Sequence, residues 1–319
     1  MKSLKIAIAG LGVSGSVLSS IIGDYHDVDL YEVRGDDFYP ACGWAVNENE
    51  FIRLGNDLGI DPEKYVLSRS RMVTFINSRR KVKFSSSGLC TIDKKHFLID
   101  LSTGRRKKSG QIDSSEYDLV FDCTGISRYY VGSVNDDFVM PALEIVSNDK
   151  CEDFTFRYFR HGSGYEWFFP LKDGSHHGVG SDSREEISKL LENRGSMRLV
   201  GRSIRLKPLF DYSVKDNIIA VGESAGTVSP LTGEGIVPSM KCAILARSIL
   251  SDGAHFNGKY PDLLKRYFSR YERLFSLLMM ARNDSLLKIR NIRYLKDVID
   301  DFRNFGIDMS LPGVIRAIA

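Results

Sequence analysis

Three glycines near the start of the chain, in Gly10-Leu11-Gly12-Val13-Ser14-Gly15, restrict the fold more than any other feature. They follow directly on residues 4–9, Leu-Lys-Ile-Ala-Ile-Ala, which read as a buried parallel strand. After them Val13, Val17, Leu18, Ile21 and Ile22 recur at helical spacing over residues 13–23. Residues 27–33 read as a second strand, carrying Val28, Leu30 and Tyr31. This is a βαβ opening. In such a unit the first glycine permits the tight turn, the second lets backbone approach a pyrophosphate, and the third lets helix and strand pack closely. The helix start, with Val13 and Ser14 in its first turn, offers unpaired N–H groups and a positive dipole end to phosphates. Glu32 ends the second strand, 22 residues after Gly10, where a carboxylate accepts both ribose hydroxyls. Position, flanking elements and acid together favour the ADP half of a dinucleotide over a glycine turn without a ligand. An acid there also disfavours a 2′-phosphate, so FAD or NAD fits better than NADP.

A second motif separates those two. Residues 217–221 read as a last parallel strand and run into Gly222-Glu223-Ser224-Ala225-Gly226. Ser229-Pro230 and Gly233-Glu234-Gly235-Ile236 follow, with a helix starting near Gly235. An acid after a strand-terminal glycine suits a ribityl hydroxyl. Glycines at a helix start bring N–H groups to the N1/O2 edge of an isoalloxazine, where partial positive charge stabilises the anionic reduced flavin. An enzyme using NAD alone has no need of this arrangement. The segment therefore favours FAD over NAD, and over a glycine loop that merely caps a helix.

The rest of the chain reads as a helix over 47–58, short β-like runs at 72–77, 81–85 and 97–100, and a polar hairpin loop over 104–115. A buried strand over 117–123 ends in Thr124-Gly125. Antiparallel strands at 154–159, 165–170 and 176–181, a helix at 185–194, and amphipathic helices from 261 onward complete it. Parallel strands at the start, middle and end, with sheet inserted between them, imply an α/β fold. The expected division is a discontinuous Rossmann-like FAD-binding domain of 1–65, 105–135 and 205–255. A β-rich, antiparallel substrate domain of 66–104 and 136–204 is inserted in it, and 256–319 form a C-terminal helical segment. In that segment Leu274, Leu277, Leu278, Leu286, Leu287, Ile289 and Leu295 are expected to pack in the core.

Charge and cysteine usage exclude several classes. A net charge of +3 gives no push toward nucleic acid, and the cluster Arg105-Arg106-Lys107-Lys108 reads as a solvated loop. The apolar fraction of 43% and charged fraction of 27% are those of a globular protein. Five cysteines without a Cys-x-x-Cys pair signal neither zinc nor an iron–sulfur cluster, and fit a reducing cytoplasm. No signal peptide is expected, and no run nears the ~20 apolar residues that span a bilayer. Contact with lipid is therefore expected from the side, as a peripheral association. His161, His176 and His177 lack metal-ligand spacing and are expected at the surface.

The two glycine motifs together resemble the FAD-dependent group that shares the fold of p-hydroxybenzoate hydroxylase. Three further features resemble its geranylgeranyl reductase branch. Pro40-Ala41-Cys42-Gly43 is similar to that family's Cys-Gly loop beside the flavin. Tyr165-x-Trp167-x-Phe169-Pro170 is similar to its Tyr-x-Trp-x-Phe-Pro signature and is the most specific match. Thr232-Gly233-x-Gly235-Ile236 matches its flavin motif, and Thr124-Gly125 resembles its Ala-Thr-Gly step near the cofactor. The resemblance runs from Lys5 to about residue 250. It implies reduced FAD beside a long apolar tunnel, and reduction of isolated C=C bonds in the geranylgeranyl chains of archaeal ether lipids or chlorophyll-type prenyl groups. Alternation puts Tyr165, Trp167 and Phe169 on one strand face and Phe168 on the other, as a tunnel wall or an ordinary core. Cys42 stands as a candidate for proton transfer or for shaping the flavin site, level with a small buried residue. Arg128 reads as structural.

This chain departs from the family in two places. It is shorter, the missing part falling after residues 92–97, where a helix and a further strand are usual; the adenine pocket is then rebuilt or more open. Glu223 stands where aspartate is usual. Three functions compete: a prenyl lipid reductase, a flavin monooxygenase-type enzyme, and a flavin-binding protein without turnover. A halogenase is disfavoured, since Trp44 and Trp167 are the only tryptophans and form no Trp-x-Trp-x-Ile-Pro. The sequence leaves open the reductant (NADPH, NADH or ferredoxin), an electron-donor partner protein, and the oligomeric state.

Overall fold

Isoleucine and alanine fill the interior of the first strand, Lys5–Ala9, and Ile6, Ala7 and Ile8 expose nothing on either face. Burial on both faces is the mark of a central parallel strand. The computed structural model describes residues 3–35, 38–77, 80–105, 107–193, 197–252, 256–283 and 292–313. In it this strand lies within a six-stranded sheet ordered Val214–Lys215, Ile218–Ala220, Leu119–Asp122, Lys5–Ala9, Asp27–Tyr31, Lys107–Lys108. All neighbours are parallel except the first pair. The chain leaves the first strand toward Asp27–Tyr31 on one side and later returns as Leu119–Asp122 on the other. In open α/β sheets, ligands bind beyond the strand ends at such a reversal.

An eight-stranded sheet stands beside the first, ordered Arg198–Arg205, Val139–Ser147, Gly174–Ser181, Gly164–Leu171, Phe154–Tyr158, Met72–Ile76, Lys81–Ser86, Ile307–Asp308. It is antiparallel except where Phe154–Tyr158 meets Met72–Ile76. The aromatic strand Gly164–Leu171 occupies its middle. Trp167 and Phe169 are buried on one face, and Phe156 packs on that face with its ring 5.0 Å from Phe169 and 5.7 Å from Tyr165. Phe168 turns the other way and stacks on His177 at 4.1 Å. A three-stranded sheet, Ala45–Asn47, Leu89–Ile92 and Val66–Arg69, completes the β structure among the described residues.

Four expectations need correction. Residues 97–100 are not a strand: they lie in the helix Lys94–Ser102, whose N-cap Asp93 accepts the His96 N–H at 3.0 Å. Phe97, Leu98 and Leu101 are buried at helical spacing, and the helix packs on the first helix, Val13–Ile22. Residues 104–115 are not a hairpin loop, because Lys107–Lys108 pairs in parallel with Asp27–Tyr31. A helix and a strand, expected to be missing after residues 92–97, are therefore present there, the strand only two residues long. The basic cluster is not simply solvated either, since Arg105 pairs with Asp24 at 2.7 Å and Lys108 with the buried Asp29 at 2.6 Å. Arg106 lies outside the described residues.

In the C-terminal segment Leu274 and Leu278 are buried, and Leu277 and Leu295 pack against the main core. Leu286, Leu287 and Ile289 lie outside the described residues. Among the described residues no helix is long and apolar enough to cross a membrane.

The helix Lys94–Ser102 supplies a direct check of this architecture. Phe97 is fully buried, with its ring 5.2 Å from Phe51 and 5.4 Å from Tyr65 in edge-to-face contact. Phe97→Ala should cost about 3–5 kcal/mol in urea unfolding. A loss below about 1 kcal/mol would contradict the packing.

Candidate cofactor and substrate site

The three N-terminal glycines have different reasons to be glycine. Gly10 has φ +87°, and a Cβ on it would stand 2.7 Å from the Cys123 carbonyl oxygen. A Cβ on Gly15 would lie 1.9 Å from the Gly10 carbonyl oxygen. Both are fixed by backbone packing. Gly12 has an ordinary φ of −68°, and a Cβ there would meet nothing within 4 Å. Neither strain nor packing demands glycine at this position. Its open side faces a cavity of about 910 Å³ at the ends of the central strands.

Gly10, Gly12, Val13 and Ser14 line that cavity at the first helix, whose N-cap has no side-chain acceptor. Glu32 lines it from the second strand and accepts the N–H groups of Leu11 at 2.8 Å and Arg34 at 2.9 Å, besides the Arg34 guanidinium. Burial pushes the Glu32 carboxyl upward, but the hydrogen bonds and charge of Arg34 outweigh this and hold it below its ordinary value. Gln111, Tyr129 and Tyr130 form further wall. Open backbone at a helix start and a carboxylate at the strand end fit the phosphates and ribose of an ADP moiety.

Thr124 and Gly125 also line the cavity, held there by Asp122 and Arg205, which the sequence reading passed over, and by Arg128, which it read as structural. Asp122, fully buried, accepts from the Thr124 N–H at 3.0 Å, the Thr124 hydroxyl at 2.6 Å, and the N–H groups of Tyr130 and Val131 at 2.9 Å. Arg205, also buried, donates to the carbonyls of Gly125 at 3.0 Å, Ile126 at 2.7 Å and Glu223 at 2.9 Å. Arg128 donates to the carbonyls of Gly132 at 2.8 Å, Tyr212 at 2.6 Å and Ser224. These two arginines tie the Thr124-Gly125 loop to the Gly222 segment. Gly222 itself lies behind the wall: its Cβ would stand 2.7 Å from the Ser14 hydroxyl. Glu223 lines the cavity, pairs with Arg202, and accepts the Arg205 N–H at 3.0 Å.

A smaller cavity of about 60 Å³ adjoins the first, and Cys42, Gly233, Gly235 and Ile236 line both. Here the aromatic strand meets the two loops. A Cβ on Gly43 would lie 2.5 Å from the Phe169 ring and 3.2 Å from the Trp167 indole nitrogen. Gly233 has φ +69°, and its Cβ would stand 2.8 Å from the Tyr165 hydroxyl, which donates to the Thr232 carbonyl. Tyr165, Trp167 and Phe169 thus line the small cavity, while Pro170 faces away and accepts the Thr91 hydroxyl at 2.6 Å. Glu234 lines the small cavity and caps the helix Ile236–Ser248, accepting the Val237 N–H at 2.8 Å.

Three buried ionisable groups at this junction were not expected. Lys94 lines the large cavity beside Cys42, and burial pulls its ammonium below the ordinary range while the thiol contact opposes this. Glu144 lines the small cavity at 2% exposure. His176, read from the sequence as a surface residue, is fully buried against Trp44, whose ring centroid is 4.8 Å away. Its strand has two covered faces, so alternation carries no sign of exposure. His177 is partly exposed and pairs with Glu166 at 2.8 Å, and His161 is exposed. Among the described residues no group of three or more His, Cys, Asp or Glu is placed to hold a metal.

No protein-family profile matches the chain. Curated relatives do. A digeranylgeranylglycerophospholipid reductase of Methanococcus vannielii is 30% identical over 131 residues, 36% of this chain and 34% of that protein. The match therefore spans about a third of the length of that relative. One of Methanothrix thermoacetophila is 20% identical over 96% of this chain and 84% of its own length. Among solved structures, a geranylgeranyl bacteriochlorophyll reductase-like protein of Thermoplasma acidophilum superposes with a TM-score of 0.70 at 17% identity, covering 96% of this chain and 98% of that one. A probable FAD-dependent monooxygenase of Pseudomonas aeruginosa reaches 0.66 at 15% identity, covering 90% and 99%. The resemblance to the geranylgeranyl reductase family drawn from the sequence is borne out by these relatives, and the fold is that of Rossmann-type FAD-dependent reductases and monooxygenases.

Two outcomes follow from the geometry. Gly12→Val should leave the melting temperature of the cofactor-free protein within about 2 °C of wild type, yet abolish FAD uptake in a fluorescence titration. Gly15→Val should fail to fold; equal behaviour of the two variants would refute the division of roles. The second concerns pH. Burial pushes the Glu234 carboxyl up to about 8, so it holds its proton more tightly folded than unfolded. Its contribution to stability is complete below about pH 4 and is lost as pH rises through about 8. Glu234→Gln should therefore reduce the fall in melting temperature between about pH 5 and pH 9, measured by calorimetry.

Proposed function

We propose that the chain is an FAD-dependent prenyl lipid reductase that saturates isolated C=C bonds of a geranylgeranyl-type chain. The observation that carries this reading is that one aromatic strand meets both loops, Tyr165 touching Thr232-Gly233 and Trp167 with Phe169 touching Gly43. An aromatic strand used only as core would have no reason to touch the two loops that face a flavin.

Gly10, Gly12, Val13 and Ser14 are assigned to the pyrophosphate, with Gly15 seating the helix behind them, and Glu32 to the ribose. Thr124, Gly125 and Glu223 are assigned to the ribityl region, with Gly222 shaping that turn. Cys42, Gly43, Gly233, Glu234, Gly235 and Ile236 frame the isoalloxazine. When bound there, FAD supplies the hydride. Backbone N–H groups at the start of Ile236–Ser248 favour the electron-rich edge of the reduced cofactor. Tyr165, Trp167 and Phe169 hold the alkene carbons and exclude water. Pro170 shapes the end of that wall rather than the cavity. Such a site needs two electrons per reduced bond from outside, which we assign to one reduced nicotinamide or to two one-electron transfers from ferredoxin. The reading also places the protein at a lipid surface, from which its substrate is drawn.

The purified protein should be yellow, or become so on addition of FAD. Reduced anaerobically with dithionite and mixed with a geranylgeranyl lipid, it should reoxidise while the lipid gains two hydrogens per reduced bond by mass spectrometry. Reoxidation by oxygen alone, with an oxygenated product, would assign a monooxygenase. A colourless protein that takes up no FAD would overturn the flavin assignment.

A further inference from the structure

We propose that Glu144 donates the proton that completes alkene reduction, and that His176 and Tyr39 return a proton to it from the large cavity; this rests on the prenyl reductase reading. Saturating a C=C bond requires a hydride at one carbon and a proton at the other. The two electrons arrive with the hydride from reduced FAD. The proton must come from an acid at the wall of the cavity that holds the alkene, because water is excluded there.

Glu144 stands in the middle of the strand Val139–Ser147, opposite Gly178 of the neighbouring strand. A Cβ on Gly178 would lie 2.1 Å from the Trp167 ring, so the missing side chain is what admits the indole. The indole then donates from Nε1 to Glu144 Oε2 at 3.3 Å. Glu144 Oε1 has no hydrogen-bond partner, and the residue lines the small cavity with Cys42 and Tyr165. A carboxylate with one bare oxygen in such a place costs far more than a neutral acid, whose O–H is left free to donate to a reacting carbon. Burial pushes the group up to about 8, against the Trp167 hydrogen bond, the Cys42 amide and the Lys94 charge. It therefore holds its proton at neutral pH, as a donor of this kind must.

A route for replacement is in place. His176 Nδ1 lies 3.6 Å from Glu144 Oε2 and has no hydrogen-bond partner of its own. Its Nε2 is 2.7 Å from the Tyr39 hydroxyl. Tyr39 lines the large cavity beneath the Arg198 guanidinium, which is 4.8 Å from its ring. Burial draws His176 down to about 4 against a contact with the Gly43 backbone that works the other way, and the Lys94 charge adds to the burial, so the imidazole is neutral, accepts at one nitrogen and donates from the other. After each reduction the Glu144 carboxylate takes a proton from His176 Nδ1 as His176 Nε2 takes one from the Tyr39 hydroxyl and a solvent proton in the large cavity replaces it, so that no tyrosinate accumulates where burial and Glu144 disfavour it; rotation of the imidazole then returns its N–H to the Glu144 side for the next turnover. Trp44 stacks on Tyr39 at 5.0 Å and closes the side of this path.

The first test uses the protein without substrate. Infrared difference spectra of wild type minus Glu144→Gln should show a protonated-carboxyl band that shifts in D₂O and vanishes as pH rises through about 8. Cys42→Ala should keep that band. The second test is anaerobic stopped-flow of the reduced holoenzyme with the geranylgeranyl lipid. Glu144→Gln should slow reoxidation by about 100-fold or more, with lipid affinity unchanged, and the wild-type rate should fall above about pH 8. Tyr39→Phe should leave the first turnover intact and slow the later ones. Absence of the band, or wild-type reoxidation by Glu144→Gln, would overturn the assignment while leaving the reductase reading in place. A wild type inert toward the lipid would overturn that reading and this assignment with it, whatever the infrared result.

Discussion

Everything at the junction of the two large sheets depends on how closely backbone passes backbone at the end of the first strand. Gly10 lies against the Cys123 carbonyl and Gly15 against the Gly10 carbonyl, with no space for a methyl group at either position. That approach sets the first helix so that its N-terminus opens on the large cavity. It also brings Ser14 within reach of Gly222, so the second glycine motif is positioned by the first. Any side chain in these contacts would push the helix out and take both walls of the site with it.

The parts of this arrangement that could be read from the sequence are those encoded locally. The spacing of Gly10, Gly12 and Gly15, the acid at Glu32 and the alternation through Tyr165, Trp167 and Phe169 all lie within short windows. Their meaning survives without knowledge of the fold. The helix Lys94–Ser102 was misread because Phe97, Leu98 and Ile99 are consecutive apolar residues with no clear period. The overlooked signal was Asp93, three residues before His96, in the place of an N-cap. Lys107–Lys108 gave no signal, since two lysines at a sheet edge look like any polar loop.

The supporting shell was invisible for a different reason. Arg205 meets Gly125 across 80 positions and Arg128 meets Ser224 across 96. Trp167 reaches Glu144 across 23, and Tyr39 reaches His176 across 137. No local pattern marks an arginine that will end beneath a glycine loop, or a histidine on a strand covered from both sides. The arginines satisfy buried carbonyls where loops must be rigid, while Glu144 and His176 each keep one buried polar atom without a partner, a cost that a protein interior rarely carries.

The two-residue strand Ile307–Asp308 has a meaning beyond the site. It pairs with Lys81–Ser86 and closes one edge of the eight-stranded sheet, and the Ser86 hydroxyl reaches Gly306 across 220 positions. During synthesis on the ribosome, that edge waits unpaired until residues 220 positions further along have been made. An open edge is a template for pairing with other chains, and contacts this distant in sequence form slowly. Lys81 and Lys83 are exposed along the strand, and their charge repels a second copy during that interval. Nascent chains should therefore depend on those lysines, and on chaperones, more than the finished protein does.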